Sequence, residues 1–313
     1  MRRALVIVLL AGALVPSARA DGAPSIVETA GLGGIATPTG FRYTVVDSPT
    51  ISILVRIAPS GRVVAEKYLP GRFWIPAVGY DGTPTGLSAD GKTLVLVQPR
   101  TAFPRKRTRF LVLSSPGMFV RENVVLKGDF SFDAMSPDGS LLYFINYLSP
   151  TDPTKYAVRA FDRDGGVLLR KPVVDRTEPD EVMRGNPVSR ATSPDGRWAY
   201  TLYDGAGKTP FVHALDTVGA NAHCIDLDEL AGRQDLPFLR LRLVGGMLSV
   251  VKGKRTLLLV DTKSFRVSQP GKPASTSERG TSWLPIGAGA AAALLAAAAG
   301  AAFLLRRRRP ALT

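Results

Sequence analysis

Four carboxylates fall within seven residues of "VVDRTEPDEVMRGNP", Val173 to Pro187: Asp175, Glu178, Asp180 and Glu181. Clustered carboxylate oxygens suit a hard cation, so Ca²⁺ is the cofactor this loop would take, although the spacing matches no EF-hand loop. The opposite charge gathers in "PRTAFPRKRTRF", Pro99 to Phe110, where Arg105, Lys106 and Arg107 stand in a row with Phe103 close by. That loop reads as an exposed docking surface for an anionic envelope polymer, phospholipid headgroups or an acidic protein partner. A third set is defined by position. Thr85, Asp133 and Arg190 each stand three residues before the serine of a recurring Ser-x-Asp-Gly turn. If the turn recurs in space, the three side chains meet at one region. A carboxylate and a guanidinium there would form an ion pair or clamp a polar ligand.

Other catalytic signatures fail on inspection. "GAGKT", Gly205 to Thr209, puts Leu202 where a phosphate loop needs its first glycine, and a strand follows where that loop needs a helix. His213 and His223 are the only histidines; with Cys224 they make a poor zinc set. No G-x-S-x-G is present. Asp90, Asp138 and Asp195 sit in turns and shape them: aspartate bonds its own backbone and the following glycine accepts positive φ.

The elements that must position these residues repeat. "LSADGKTLVLVQ" begins at Leu87, "MSPDGSLLYFINY" at Met135 and "TSPDGRWAYTLYD" at Thr192. Each turn precedes a run of branched and aromatic residues and follows another short run, which is a β-hairpin. A second element, strand–tight turn–strand, recurs in "LVRIAPSGRVV", "FLVLSSPGMFV", "VRAFDRDGGVLL", "VHALDTVGANAHCI" and "LLLVDTKSFRV". Aligning Ala58, Ser114, Asp162, Asp216 and Asp261 gives intervals of 56, 48, 54 and 45 residues. Four strands per unit of this length predict an all-β fold: a β-propeller of about five four-stranded blades, with six also compatible. Blade one lacks its turn hairpin, so a strand from Ser25 to Glu28, or one from the last blade, is expected to close the ring.

"SPDGRWAYTLYD" followed by "PFVHALDT" resembles the bacterial YVTN-type and TolB-like propeller repeats, over about Gly40 to Val267. The resemblance implies the fold and leaves function open, because such propellers serve as binding proteins, assembly factors and a few enzymes.

The ends bound the location. Residues 1–20 read as a signal peptide: Arg2 and Arg3, an apolar run from Ala4 to Val15, then Ala18-Arg19-Ala20. Residues 21–267 are the extracytoplasmic propeller, and 268–282 a Ser/Pro/Gly-rich stalk. Residues 283–305 form a transmembrane helix: Ile286 to Leu305 carry no charge, which is enough to cross a bilayer. The tail, 306–313, is held in the cytoplasm by Arg306 to Arg309. Without the cations of the signal and the tail, 33 cations face 26 carboxylates, a modest excess. It suits contact with an anionic envelope and argues against a nucleic-acid partner. A single cysteine excludes an internal disulfide, so core packing must hold the fold. The expectation is a membrane-anchored, non-catalytic binding or scaffold protein. The alternative is a propeller-type enzyme, a lactonase-like hydrolase or quinone-dependent oxidoreductase, with its site at the channel mouth.

Overall fold

The computed structural model describes residues 33–178 and 183–271. Its branched and aromatic runs form twenty-one strands, and helix among the described residues is limited to three 3₁₀ turns. The first sheet joins β1 (Ile35–Ala36), β2 (Arg42–Asp47), β3 (Ile51–Ile57) and β4 (Val63–Pro70) in chain order. β5 (Ala77–Val78) and β6 (Thr83–Pro84) form a separate hairpin, followed by a three-stranded sheet of β7 (Thr93–Val97), β8 (Arg107–Ser114) and β9 (Phe119–Lys127). Three four-stranded meanders complete the fold. The first holds β10 (Phe130–Met135), β11 (Leu141–Tyr147), β12 (Tyr156–Asp162) and β13 (Val167–Val173). The next holds β14 (Pro187–Thr192), β15 (Trp198–Tyr203), β16 (Phe211–Asp216) and β17 (Asn221–Asp226). The last holds β18 (Arg240–Val244), β19 (Met247–Lys252), β20 (Arg255–Asp261) and β21 (Val267–Ser268).

Antiparallel meanders alternate their side chains between two faces, and each face needs a neighbour to cover it. Successive sheets supply one. Leu54 and Leu69 pack on Leu94 and Leu113; Val95 and Phe110 pack on Phe132 and Phe144. Tyr143 and Val158 pack on Tyr203 and Leu215; Leu202 and Val212 pack on Leu248 and Val260. Consecutive meanders stacked this way make an all-β propeller.

The repeated turn has a common internal network. In each copy the serine hydroxyl donates to the turn aspartate and accepts a backbone N–H from the second strand. Ser136 Oγ lies 2.6 Å from Asp138 Oδ1 and accepts from Leu141 N at 2.9 Å. Ser88 with Asp90, and Ser193 with Asp195, do the same. The repetition in sequence is therefore a folding device, and those serines and aspartates are engaged.

Three expectations need correction. The inner strand of the first sheet is β1, at Ile35–Ala36, paired with Tyr43 and Arg42; Ser25 to Glu28 lie outside the described residues. Ser268, expected to open the stalk, pairs with Leu259 in β21, and residues 272–282 lie outside the described residues. Thr85 is not in a regular inner strand. Trp74 pairs with Val97, and the Val95 N–H donates to Gly86 O at 2.6 Å, but between these points the chain leaves as the β5–β6 hairpin. That hairpin crosses to β14, the inner strand of the β14–β17 sheet. Tyr80 N–H donates to Pro187 O at 3.1 Å, and Ser189 Oγ donates to Asp81 Oδ2 at 2.7 Å. Gly79, at φ 87°, makes the approach feasible: a Cβ there would stand 2.9 Å from Val188 O. The segments expected to be signal peptide, transmembrane helix and tail lie outside the described residues, among which no helix is long and apolar enough to cross a membrane.

Candidate functional site

Thr85 and Arg190 line one cleft of about 360 Å³ at the end of the inner strands that carries the Ser-x-Asp-Gly turns. The 35–38 segment, the strand-like 84–89 segment and the β14 segment 190–194 form its walls. Asp133 lies beneath. Arg190 Nη1 donates to the Asp133 backbone carbonyl at 3.0 Å, and its Nη2 donates to Asp133 Oδ1. Both side chains are almost fully buried, at 3% and 1% exposure. The guanidinium and the carboxylate thus form the expected pair one sheet apart, and Thr85 joins them through the hairpin it terminates.

Register explains what else stands there. Arg190 pairs with Thr201, Thr201 with His213 and His213 with Cys224, so one polar row crosses β14 to β17 between apolar rows. It faces the sheet of β10 to β13, whose Asp133 meets Arg190. Asp133 Oδ2, Arg190 Nε, Thr201 Oγ1 and His213 Nε2 are all buried without a protein hydrogen-bond partner. Burial pushes the His213 imidazole down to about 4, although Asp133 pulls the other way. Burial likewise raises the Tyr203 hydroxyl well above its usual range, with Asp133 adding to the rise. Sequence reasoning missed Thr201, and it weighed His213 only as a poor zinc ligand. The available signal was register: counting outward from the 193–196 turn aligns Arg190 with Thr201, and polar residues in otherwise apolar strands mark the row.

The basic loop is corrected in part. Arg105 is not a free docking cation. Its Nε donates to Asp129 Oδ1 at 3.0 Å, its backbone N–H donates to Oδ2 at 2.8 Å, Nη1 reaches Gln98 O and Nη2 reaches Phe130 O. Arg100 shares Asp129, with Nη2 2.9 Å from Oδ1, and stacks over Tyr147 with its Cζ 4.8 Å from the ring centroid. Lys106 and Arg107 are exposed, as expected.

The acidic loop is only partly described. Asp180 and Glu181 lie outside the described residues, and Glu178 is exposed. Asp175 is buried and occupied. It accepts from the Thr177 N–H at 2.8 Å, the Thr177 hydroxyl at 2.6 Å and the Cys224 N–H at 3.0 Å. Burial raises its carboxyl, but these bonds and nearby His223 outweigh that and lower it. Among the described residues no three His, Cys, Asp or Glu side chains gather as a metal set.

No protein-family model matches the chain, and no curated protein matches it in sequence. Solved structures do resemble it. Kuenenia stuttgartiensis hydrazine synthase is 17% identical, with a TM-score of 0.44, over 77% of this chain and 70% of that one. TolB from Acinetobacter baumannii is 15% identical, with a TM-score of 0.43, over 76% of this chain and 54% of that one. A TolB-like protein from Agrobacterium tumefaciens is 17% identical, with a TM-score of 0.36, over 74% and 81%. Likenesses of this grade concern the layout of sheets and not chemistry.

Proposed function

We propose that this chain is a membrane-tethered extracytoplasmic propeller of five blades that binds an envelope ligand or partner at the turn-end cleft, without catalysis. The cleft carries the reading: segments from separate sheets converge there, and its floor is a buried, paired guanidinium. The volume is at the lower end of the ~300–1,000 Å³ usual for small-ligand sites. Five blades fit the sheet order if the interrupted 74–87 segment is counted as the inner strand beside β7. Tethering rests on the uncharged run from Ile286 to Leu305 and the arginines after it.

The test is a photo-crosslinking residue placed on intact cells at Thr192 in the cleft and, separately, at Val64 on the outer strand β4. Adducts specific to Thr192 are expected. Equal adducts at both positions, or none at Thr192, would remove the cleft as the binding site. A tag after Thr313 should stay protected from external protease while the propeller is digested; digestion of the tag would overturn the topology.

A further inference from the structure

We infer that the ligand of this cleft is an uncharged polyhydroxyl compound, the sugar face of a neutral saccharide, and not an anion. The inference rests on the cleft being the binding site. Its chemistry follows from what each polar group in the cleft still has to offer.

Among the described residues, Arg190 is the only ionisable side chain lining the cleft, and alone it would select an anion. It is not alone. Asp133 lies in hydrogen-bond contact with its Nη2, and both are sealed from solvent, so the floor carries no net charge. An anionic ligand would leave water to meet a guanidinium already neutralised, and it would approach a carboxylate that keeps one oxygen, Oδ2, unbonded. Arg190 Nε and Asp133 Oδ2 are unpartnered but buried out of a ligand's reach, so the walls must supply the hydrogen bonds. A group that donates and accepts without charge, such as a hydroxyl, suits a neutral floor under hydroxyl-bearing walls.

The walls agree. Thr85 and Thr192 bring hydroxyls to the cleft, and no hydrogen bond of either side chain is recorded, whereas Ser88, Ser193 and Thr217 spend theirs on their own turns. Between them stand apolar surfaces from Ile35, Leu87 and Met135. Isolated hydroxyls alternating with small apolar patches match the alternating C–H and O–H surface of a sugar ring. They do not match the dense donors that a phosphate or carboxylate requires.

The decisive experiment uses the full chain in detergent micelles and three probes: maltotriose, chitotriose and, as the anion, trigalacturonate. Binding is read by saturation-transfer NMR and by titration. At least one neutral trisaccharide should bind, with affinity unchanged from about 50 mM to about 500 mM salt. The variant Thr85→Val/Thr192→Val should bind it about tenfold or more weaker, as expected for two lost hydrogen bonds of roughly 1 kcal/mol each. Its melting temperature should be unchanged, since neither hydroxyl holds the fold. Preference for trigalacturonate, fading with salt, would overturn the inference while leaving the cleft as a site. So would cleft adducts to a protein partner without saccharide binding. Absence of both adducts and saccharide binding would instead bring down the binding-site reading itself.

Discussion

Strand β10 is bracketed by two buried aspartates with arginine partners, and they differ in a way that separates structure from function. Asp129 stands just before the strand, and two guanidiniums and a backbone N–H converge on it. Ser131, Gln98 and Phe130 take further arginine donors. Asp133, near the other end, has one arginine, and both partners keep a buried polar atom unbonded. A network whose members are all matched holds the chain together and has little left to offer a ligand. The Asp133 pair gives the cleft a neutral floor and leaves the walls above it to meet a ligand.

The comparison is easiest to break at Asp129. Asp129→Ala would strand two buried guanidiniums and should cost about 3–5 kcal/mol, read as a shift in the denaturant midpoint. A shift below about 1 kcal/mol would mean that the loop and strand are held by something else.

At the other end, Asp133→Ala or Arg190→Ala alone should cost a similar ~3–5 kcal/mol, because each leaves an uncompensated buried charge. The paired change Asp133→Leu/Arg190→Met should cost much less than either. A double-mutant cycle tests this; additive losses would show that the two groups do not act as a pair.

His213 sharpens the contrast through pH. Its folded pKa, about 4, lies below the ordinary 6.5, so the unfolded chain binds the extra proton between those values. Stability is therefore full above about pH 6.5 and falls as the pH drops towards 4, by about 3 kcal/mol in all. Comparing melts of the parent and His213→Leu over that window isolates the effect. An unchanged slope in the variant would assign the acid sensitivity to another group.

Gly79→Ala puts a Cβ 2.9 Å from Val188 O at a φ of 87°, for a cost of about 1–3 kcal/mol. It should loosen the β5–β6 hairpin and weaken whatever the cleft binds, since Thr85 follows that hairpin. Unchanged amide-exchange protection at Tyr80 and Asp81 would count against the crossing as a fixed contact. The smallest effect belongs to Lys106→Glu/Arg107→Glu, which should leave the melting temperature where it was, while Arg105→Glu lowers it. Equal effects at all three positions would mean that Arg105 is as exposed as its neighbours.

That split within one loop shows how far the sequence could be read. The run at 105–107 is uniform in type, and charge alone assigned all three residues to a docking surface. Only the arrival of Asp129, 24 residues later in the chain, takes Arg105 out of solvent. The repeated turn was legible because its network is local: serine, aspartate and the next strand's N–H lie within five residues of one another. Asp133 and Arg190 were legible for the same reason, being measured from that turn, whereas Thr85 reaches the cleft after a hairpin and not on an inner strand. Thr201 and His213 were not, since their role depends on pairing across strands and on which sheet covers the row.

By itself the sequence determined the strands, their turns, the repeat and so the class of fold, together with the pairing of Asp133 and Arg190. These are short-range properties: periodicity of two, turn residues at fixed offsets and a unit length that recurs. The tertiary structure decided which charges are spent and which are available. It also decided that a hairpin inserted after Trp74 crosses to Pro187 and Ser189, bringing Thr85 to the cleft beside Arg190. The physical reason is that desolvation and partnering depend on what lies across the seam, and the residues across the seam are 57 and 108 positions away in the chain.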